Sequence, residues 1–229
     1  MPLGLVLLYI VYKILKRNPK NRLNQLFSLF YISLITAITL NAVYATFSDP
    51  SLETLASFLN VLAFYFSCLA AGFLFECIFM LYNPRIMAQI KNQILFILIY
   101  GGIMLILFFI PGGATIKILD NGTQLSPVWN FPFFAFSLTI VLILFILSFW
   151  MSIRIYSQFE NRKLAKRFLY FIIGIFIFYY IPIGVTISNY LNSPGIRLIF
   201  GISAGIIFIG VIFIYYGIGE SIQDNEINA

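Results

Sequence analysis

The sequence predicts an all-α membrane protein: a bundle of seven transmembrane helices, N-terminus outside and C-terminus cytoplasmic, with a short β-hairpin-like outer loop between the fourth and fifth spans. Three observations carry that reading. Hydrophobic residues make up 61% of the chain and charged residues only 10%, far from the roughly half apolar and one quarter charged of a soluble domain. The apolar residues form runs long enough to cross a hydrocarbon core, which takes about 20 residues of helix. The basic residues, in turn, collect in alternate loops. Lipid offers no hydrogen bonds to the backbone, so runs of this kind must satisfy their own peptide groups as helices.

The runs fall at about residues 2–15, 23–47, 55–82, 92–111, 128–153, 168–191 and 196–217, and together they make one transmembrane domain over residues 1–219. Spans 2 to 7 are long enough to cross. Span 1 is short: its 14 residues rise only about 21 Å, so the bilayer must thin locally or Lys13 and Lys16 must snorkel. Its positive charges follow the apolar stretch instead of preceding it, which argues against a cleaved signal peptide. Residues 220–229 read as a short acidic cytoplasmic tail.

Orientation follows from the basic residues. Lys13, Lys16, Arg17, Lys20 and Arg22 lie between spans 1 and 2, Arg85 and Lys91 between spans 3 and 4, and Arg154, Arg162, Lys163, Lys166 and Arg167 between spans 5 and 6. These are twelve of the fourteen basic residues, leaving Lys117 and Arg197 for the other face. The crowded side is therefore expected to be cytoplasmic. Topogenesis and phospholipid contact explain such clusters, and docking of a cytoplasmic protein is the alternative. On the opposite side, residues 112–127 place Asn121-Gly122 between short alternating runs, a turn signal. Asn121-Gly122-Thr123 also matches a glycosylation sequon, although the turn accounts for the same residues.

Glu76 is the acidic residue inside a predicted span, six residues before Tyr82 and roughly 9 Å from the inner end of span 3. A carboxyl at that depth needs a partner or a proton. It reads either as a coupling or switch carboxylate, paired with a basic residue such as Arg85 or Arg154, or as a structural acid bonded to neighbouring helices. Asn60, Ala63, Ser67, Ala70 and Ala71 form a small-residue stripe on the same span that suits close helix approach, and Gly201, Ala204 and Gly205 form another on span 7. The second stripe is expected to be an intramolecular seam, with dimerisation as the alternative. Asn41, Tyr44, Asn60, Trp129, Asn130, Thr186, Ser188 and Asn189 gather near the outer ends of spans, where they can form a small pocket or merely line the interface. Pro182 with Gly184 is expected to distort the outer half of span 6.

Several chemistries are excluded. The chain has no histidine, which removes His-based triads, phosphohistidine chemistry and most zinc sites. Span 7 has no lysine to carry retinal, and no nucleotide fingerprint appears. Cys68 and Cys77 are nine residues apart on one helix, about 13 Å along its axis, too far to bridge. No enzyme activity, cofactor, metal or nucleic-acid partner is expected.

Residues 9–47, "YIVYKILKRNPKNRLNQLFSLFYISLITAITLNAVYATF", resemble the opening of the N-terminal seven-transmembrane region of prokaryotic sensor histidine kinases. "IKILDNGTQLSPVWNFPFFAFSL" (116–138) is similar to that family's outer hairpin and Pro-aromatic entry into helix 5, and "ENRKLAKRFLYFIIGI" (160–175) to its basic entry into helix 6. The resemblance implies a sensor in a prokaryotic plasma membrane that passes a signal down its last helix to a cytoplasmic signalling protein. The chain departs from the family in having no phosphoacceptor histidine. A receptor-like module that responds to a small external ligand is thus the first expectation. Small-solute or ion transport through Glu76, in a 3+1+3 repeat, is the second, and a structural subunit of a membrane complex is the third.

Overall fold

The computed structural model describes residues 2–87 and 89–219, and the expected acidic tail at 220–229 lies outside the described residues. Helices α1 (Pro2–Arg17), α2 (Arg22–Tyr44), α3 (Glu53–Tyr82), α4 (Pro84–Met87), α5 (Ile90–Met104), α6 (Phe131–Tyr156), α7 (Arg162–Leu191), α8 (Pro194–Ser203) and α9 (Ile207–Ile214) account for most of it. Among the described residues, six helical segments are long and apolar enough to cross a membrane. The chain is thus an all-α, multi-pass membrane protein. With 16 residues, α1 falls short of the other six in length.

Asparagines set several helix boundaries. Asn21, Asn130 and Asn161 precede α2, α6 and α7, and each side-chain oxygen accepts a backbone N–H of the first turn, a group with no partner inside its own helix. Asn192 closes α7 in the left-handed region, at φ 50°, a conformation Asn tolerates better than most residues.

α3 is the centre of the bundle, touching α2, α5, α6 and α7. Its small residues explain why: Ala63, Ala70 and Ala71 are buried, and neighbouring helices come close enough for Tyr100 and Tyr179 to donate hydroxyls to the Cys68 and Ala71 carbonyls. Tyr31 donates likewise to Val211 O, tying α2 to α9. Apolar contact gives little net drive for association in lipid, so close approach and such hydrogen bonds matter more than in water. Cys68 and Cys77 are free and buried.

α7 runs unbroken through Pro182, with the Thr186 hydroxyl bonded to the Pro182 carbonyl. The last span is the interrupted one: α8 passes through a 3₁₀ turn (204–206) into α9, which ends in a π turn (215–219). Ser203 bonds back to Phe200 O at the break, and glycines at 201 and 205 weaken the helix there.

The packing seam is also displaced from its expected place. Gly201 and Gly205 face open space, and the side chain of Ala204 lies outside the described residues. α7 and α9 meet instead at Gly174 and Gly210: a Cβ on Gly174 would lie 2.7 Å from Gly210 O and 2.8 Å from Ile214 N. Gly217 extends the seam against the Phe171 backbone.

Residues 128–130, expected to open span 5 as helix, do not. Val128–Trp129 is a strand (β2) antiparallel to Ala114–Thr115 (β1), pairing Ala114 with Trp129 and Thr115 with Val128. Farther out, Ile118 bridges Gln124. The connecting turn has Gly122 at φ 76° while Asn121 keeps negative φ, and Gly122 N–H bonds Leu119 O. This is a tight turn followed by one left-handed glycine rather than a two-residue Asn-Gly loop.

Candidate functional site

One end of the bundle carries this loop, and hydrogen bonds pin it down. Glu53 Oε1 accepts Ile118 N–H at 2.8 Å, Ser57 Oγ accepts Ile116 N–H at 2.9 Å, and Gln124 Nε2 donates to Tyr44 O at 2.7 Å. Beneath it, four of the eight expected pocket residues form one chain. Trp129 Nε1 donates to Asn60 Oδ1 (3.3 Å), Asn60 Nδ2 to Tyr44 Oη (3.0 Å), and Tyr44 Oη to Asn41 Oδ1 (2.7 Å). The other four lie elsewhere: Asn130 caps α6 and bonds Pro111 O, Thr186 and Ser188 bond carbonyls of their own helix, and Asn189 is buried on α7.

The polar groups of the chain are therefore spent on each other and hold the loop to the helices. Asn60→Leu is expected to cost about 1–3 kcal/mol, since it leaves a buried indole N–H without its acceptor and takes one of two hydrogen bonds from the Tyr44 hydroxyl. Unfolding in mixed micelles against Asn41→Leu, which removes only the last link, measures it.

The open space at this end lies beside the network. A cleft of about 790 Å³ separates the loop from α8, and none of the eight residues lines it. Gln124, Ser126, Asn192 and Arg197 supply its polar wall. Arg197 Nη2 donates to Pro127 O at 2.7 Å, while its Nε is buried without a hydrogen-bond partner among the described residues. The sequence singled Arg197 out only as one of two basic residues away from the crowded side.

The opposite end holds that crowd. Arg22, Lys16, Arg17, Lys20, Arg85, Arg154, Arg162, Lys163 and Lys166 are exposed and Arg167 is half-buried. Several lie over aromatic rings of their own or neighbouring helices: Lys16 over Tyr12, Arg154 over Trp150 at 5.6 Å, and Arg167 over Tyr216 at 5.8 Å. Such pairs suit the boundary between lipid and water.

Glu76 lies below this end and is 0% exposed. Neither carboxylate oxygen has a hydrogen-bond partner among the described residues. The expected pairing with Arg85 or Arg154 is not present: Arg85 is exposed on α4 and Arg154 lies over Trp150. Glu76 instead lines a crevice of about 300 Å³ between α2, α3 and α5, with Leu26, Leu29, Ile94 and Leu98 among its apolar walls and Arg22, Gln25 and Gln93 as its other polar members. Only folding reveals this, because the walls come from three separate spans.

No known family model, curated protein or solved structure matches the chain.

Proposed function

We propose that the chain is a receptor-like, seven-span sensory module of a prokaryotic plasma membrane, with α1 as a short first span, the β1–β2 loop outside and the basic end cytoplasmic. The orientation rests on the basic residues crowded at one end. The observation that carries the reading is the cleft at the loop end, where Arg197 clasps the loop to α8 through Pro127 O. A small anionic solute entering from outside competes for that guanidinium and loosens the clasp. Because α8 leads through a break into α9, which packs on α7, the loosened segment shifts the last span relative to the bundle, and a cytoplasmic signalling protein reads the shift. The resemblance to sensor-kinase membrane regions agrees with this arrangement.

A second reading, small-solute or ion transport, has one specific support: the unpartnered acid at Glu76. One experiment separates the two. Spin labels at Thr123 and Leu198, in protein reconstituted in liposomes, are expected to move apart when acetate, succinate or glutamate is added outside, and Arg197→Gln should abolish the change. If the distance stays fixed across that panel while solute flux depends on Glu76, the sensory reading fails and transport takes its place.

A further inference from the structure

The Glu76 crevice has three properties that the sensory reading does not use. Both carboxylate oxygens lack partners, the walls are mainly aliphatic, and the mouth opens sideways: Leu29, Ile94 and Leu98, 41%, 53% and 66% exposed, are among the apolar residues facing outward from the bundle. Water reaches such a mouth poorly in a bilayer, whereas hydrocarbon chains reach it freely. We infer that this crevice is a lateral binding site for an amphiphile bearing a primary or secondary ammonium group, entered from the bilayer, with the ammonium on Glu76 and the alkyl chain along Leu29, Ile94 and Leu98.

Charge and depth select this occupant. An ammonium brings the opposite charge and enough N–H donors for both oxygens, and a charge-assisted hydrogen bond is strongest where water is excluded. A neutral lipid hydroxyl would supply one donor for two oxygens and no opposite charge. Arg22 begins α2 and is exposed, with one guanidinium N–H given to Gln25 Oε1 at 2.7 Å. Glu76 lies six residues inside the end of α3, about 9 Å deep, so solvent screens Arg22 more than it screens the buried acid. Because Glu76 is fully buried, the mouth side chains must swing aside for the ligand to reach it. The crevice volume lies at the lower end of the roughly 300–1,000 Å³ range of small-molecule sites, which suits one chain rather than two.

The test uses a diazirine-bearing dodecylamine as photoprobe on the full chain in phosphatidylcholine nanodiscs, with mass spectrometry of the labelled peptides. Labelling should concentrate on α2, α3 and α5 and be competed by dodecylamine but not by dodecanol. Glu76→Gln, which keeps shape and loses charge, should reduce it about tenfold or more, the loss of a charge-assisted pair in an apolar site. Leu98→Trp, which narrows the mouth without touching the acid, should reduce it as well and serves if Glu76→Gln fails to fold. Arg22→Gln should leave labelling equal or stronger. Equal competition by dodecanol, unchanged labelling in Glu76→Gln, or labelling spread evenly over all lipid-facing helices would overturn the proposal. A loss in Arg22→Gln would also overturn it and would assign the crevice to an anionic amphiphile.

Discussion

Replacing Glu76 by leucine is expected to stabilise the protein, by about 1–3 kcal/mol in reversible unfolding from mixed micelles, the desolvation cost of a buried polar group without a partner. Leucine is similar in size and matches the aliphatic walls that α2 and α5 present. Most core substitutions destabilise, so a gain here would be a distinctive result. It would mean that the acid is retained against a stability cost, as groups at working sites often are. A loss of stability would show instead that the carboxyl is satisfied in the folded protein and acts as a structural group. Glu76→Gln separates charge from shape, because the amide still brings polar atoms into the same apolar surroundings. It is expected to fall between wild type and Glu76→Leu.

The second large effect is expected at the α7–α9 seam. Gly174→Ala places a methyl 2.7 Å from Gly210 O and 2.8 Å from Ile214 N, and backbone cannot swing aside as a side chain can. Overpacking of this kind costs about 1–3 kcal/mol, here by forcing α9 away from α7. Gly201→Ala and Gly205→Ala meet nothing within 4 Å and should be neutral, or gain up to about 1 kcal/mol from better helix propensity. The contrast checks the seam directly. Equal effects at 174 and 201 would mean that α9 does not pack as described. An undocked α9 should also break the Tyr31 bond to Val211 O, so a cysteine pair bridging α2 and α9 should lose its crosslink in Gly174→Ala and keep it in Gly201→Ala.

The site was legible in part. Asn60, Tyr44, Asn41 and Trp129 could be grouped because they sit near the same ends of predicted spans, but grouping does not say whether polar atoms face a ligand or each other. Trp129 was further obscured because residues 128–130 read as the start of a helix, whereas pairing with β1 makes 128–129 a strand. Glu76 stood out as a charge within an apolar run. Its lack of a partner did not, since Arg85 and Arg154 lie in loops on the side nearest Glu76 and only the packing of α3 leaves the acid beside α2 and α5 instead. The glycine pattern misled for a related reason: Gly201-x-x-x-Gly205 has the right spacing, but no described residue lies within 4 Å of a Cβ at either position, while Gly174 and Gly210 lie on different spans and show no motif at all.

By itself the sequence determined that this chain is a multi-pass helical membrane protein, where most helices begin and end, and which loops hold the basic charge. Those properties are local: hydrocarbon leaves the backbone only helical solutions over long apolar runs, asparagine side chains bond N–H groups within a turn of themselves, and charge counts need no neighbours. The tertiary structure alone decided which small residues touch, which polar groups satisfy one another, where the Arg197 cleft opens and that Glu76 is left without a partner among the described residues, beside a crevice open at the side of the bundle. Each of these depends on side chains from spans far apart in the chain, and in lipid the mutual fit of helices is set by close packing and hydrogen bonds rather than by the apolarity of any one of them.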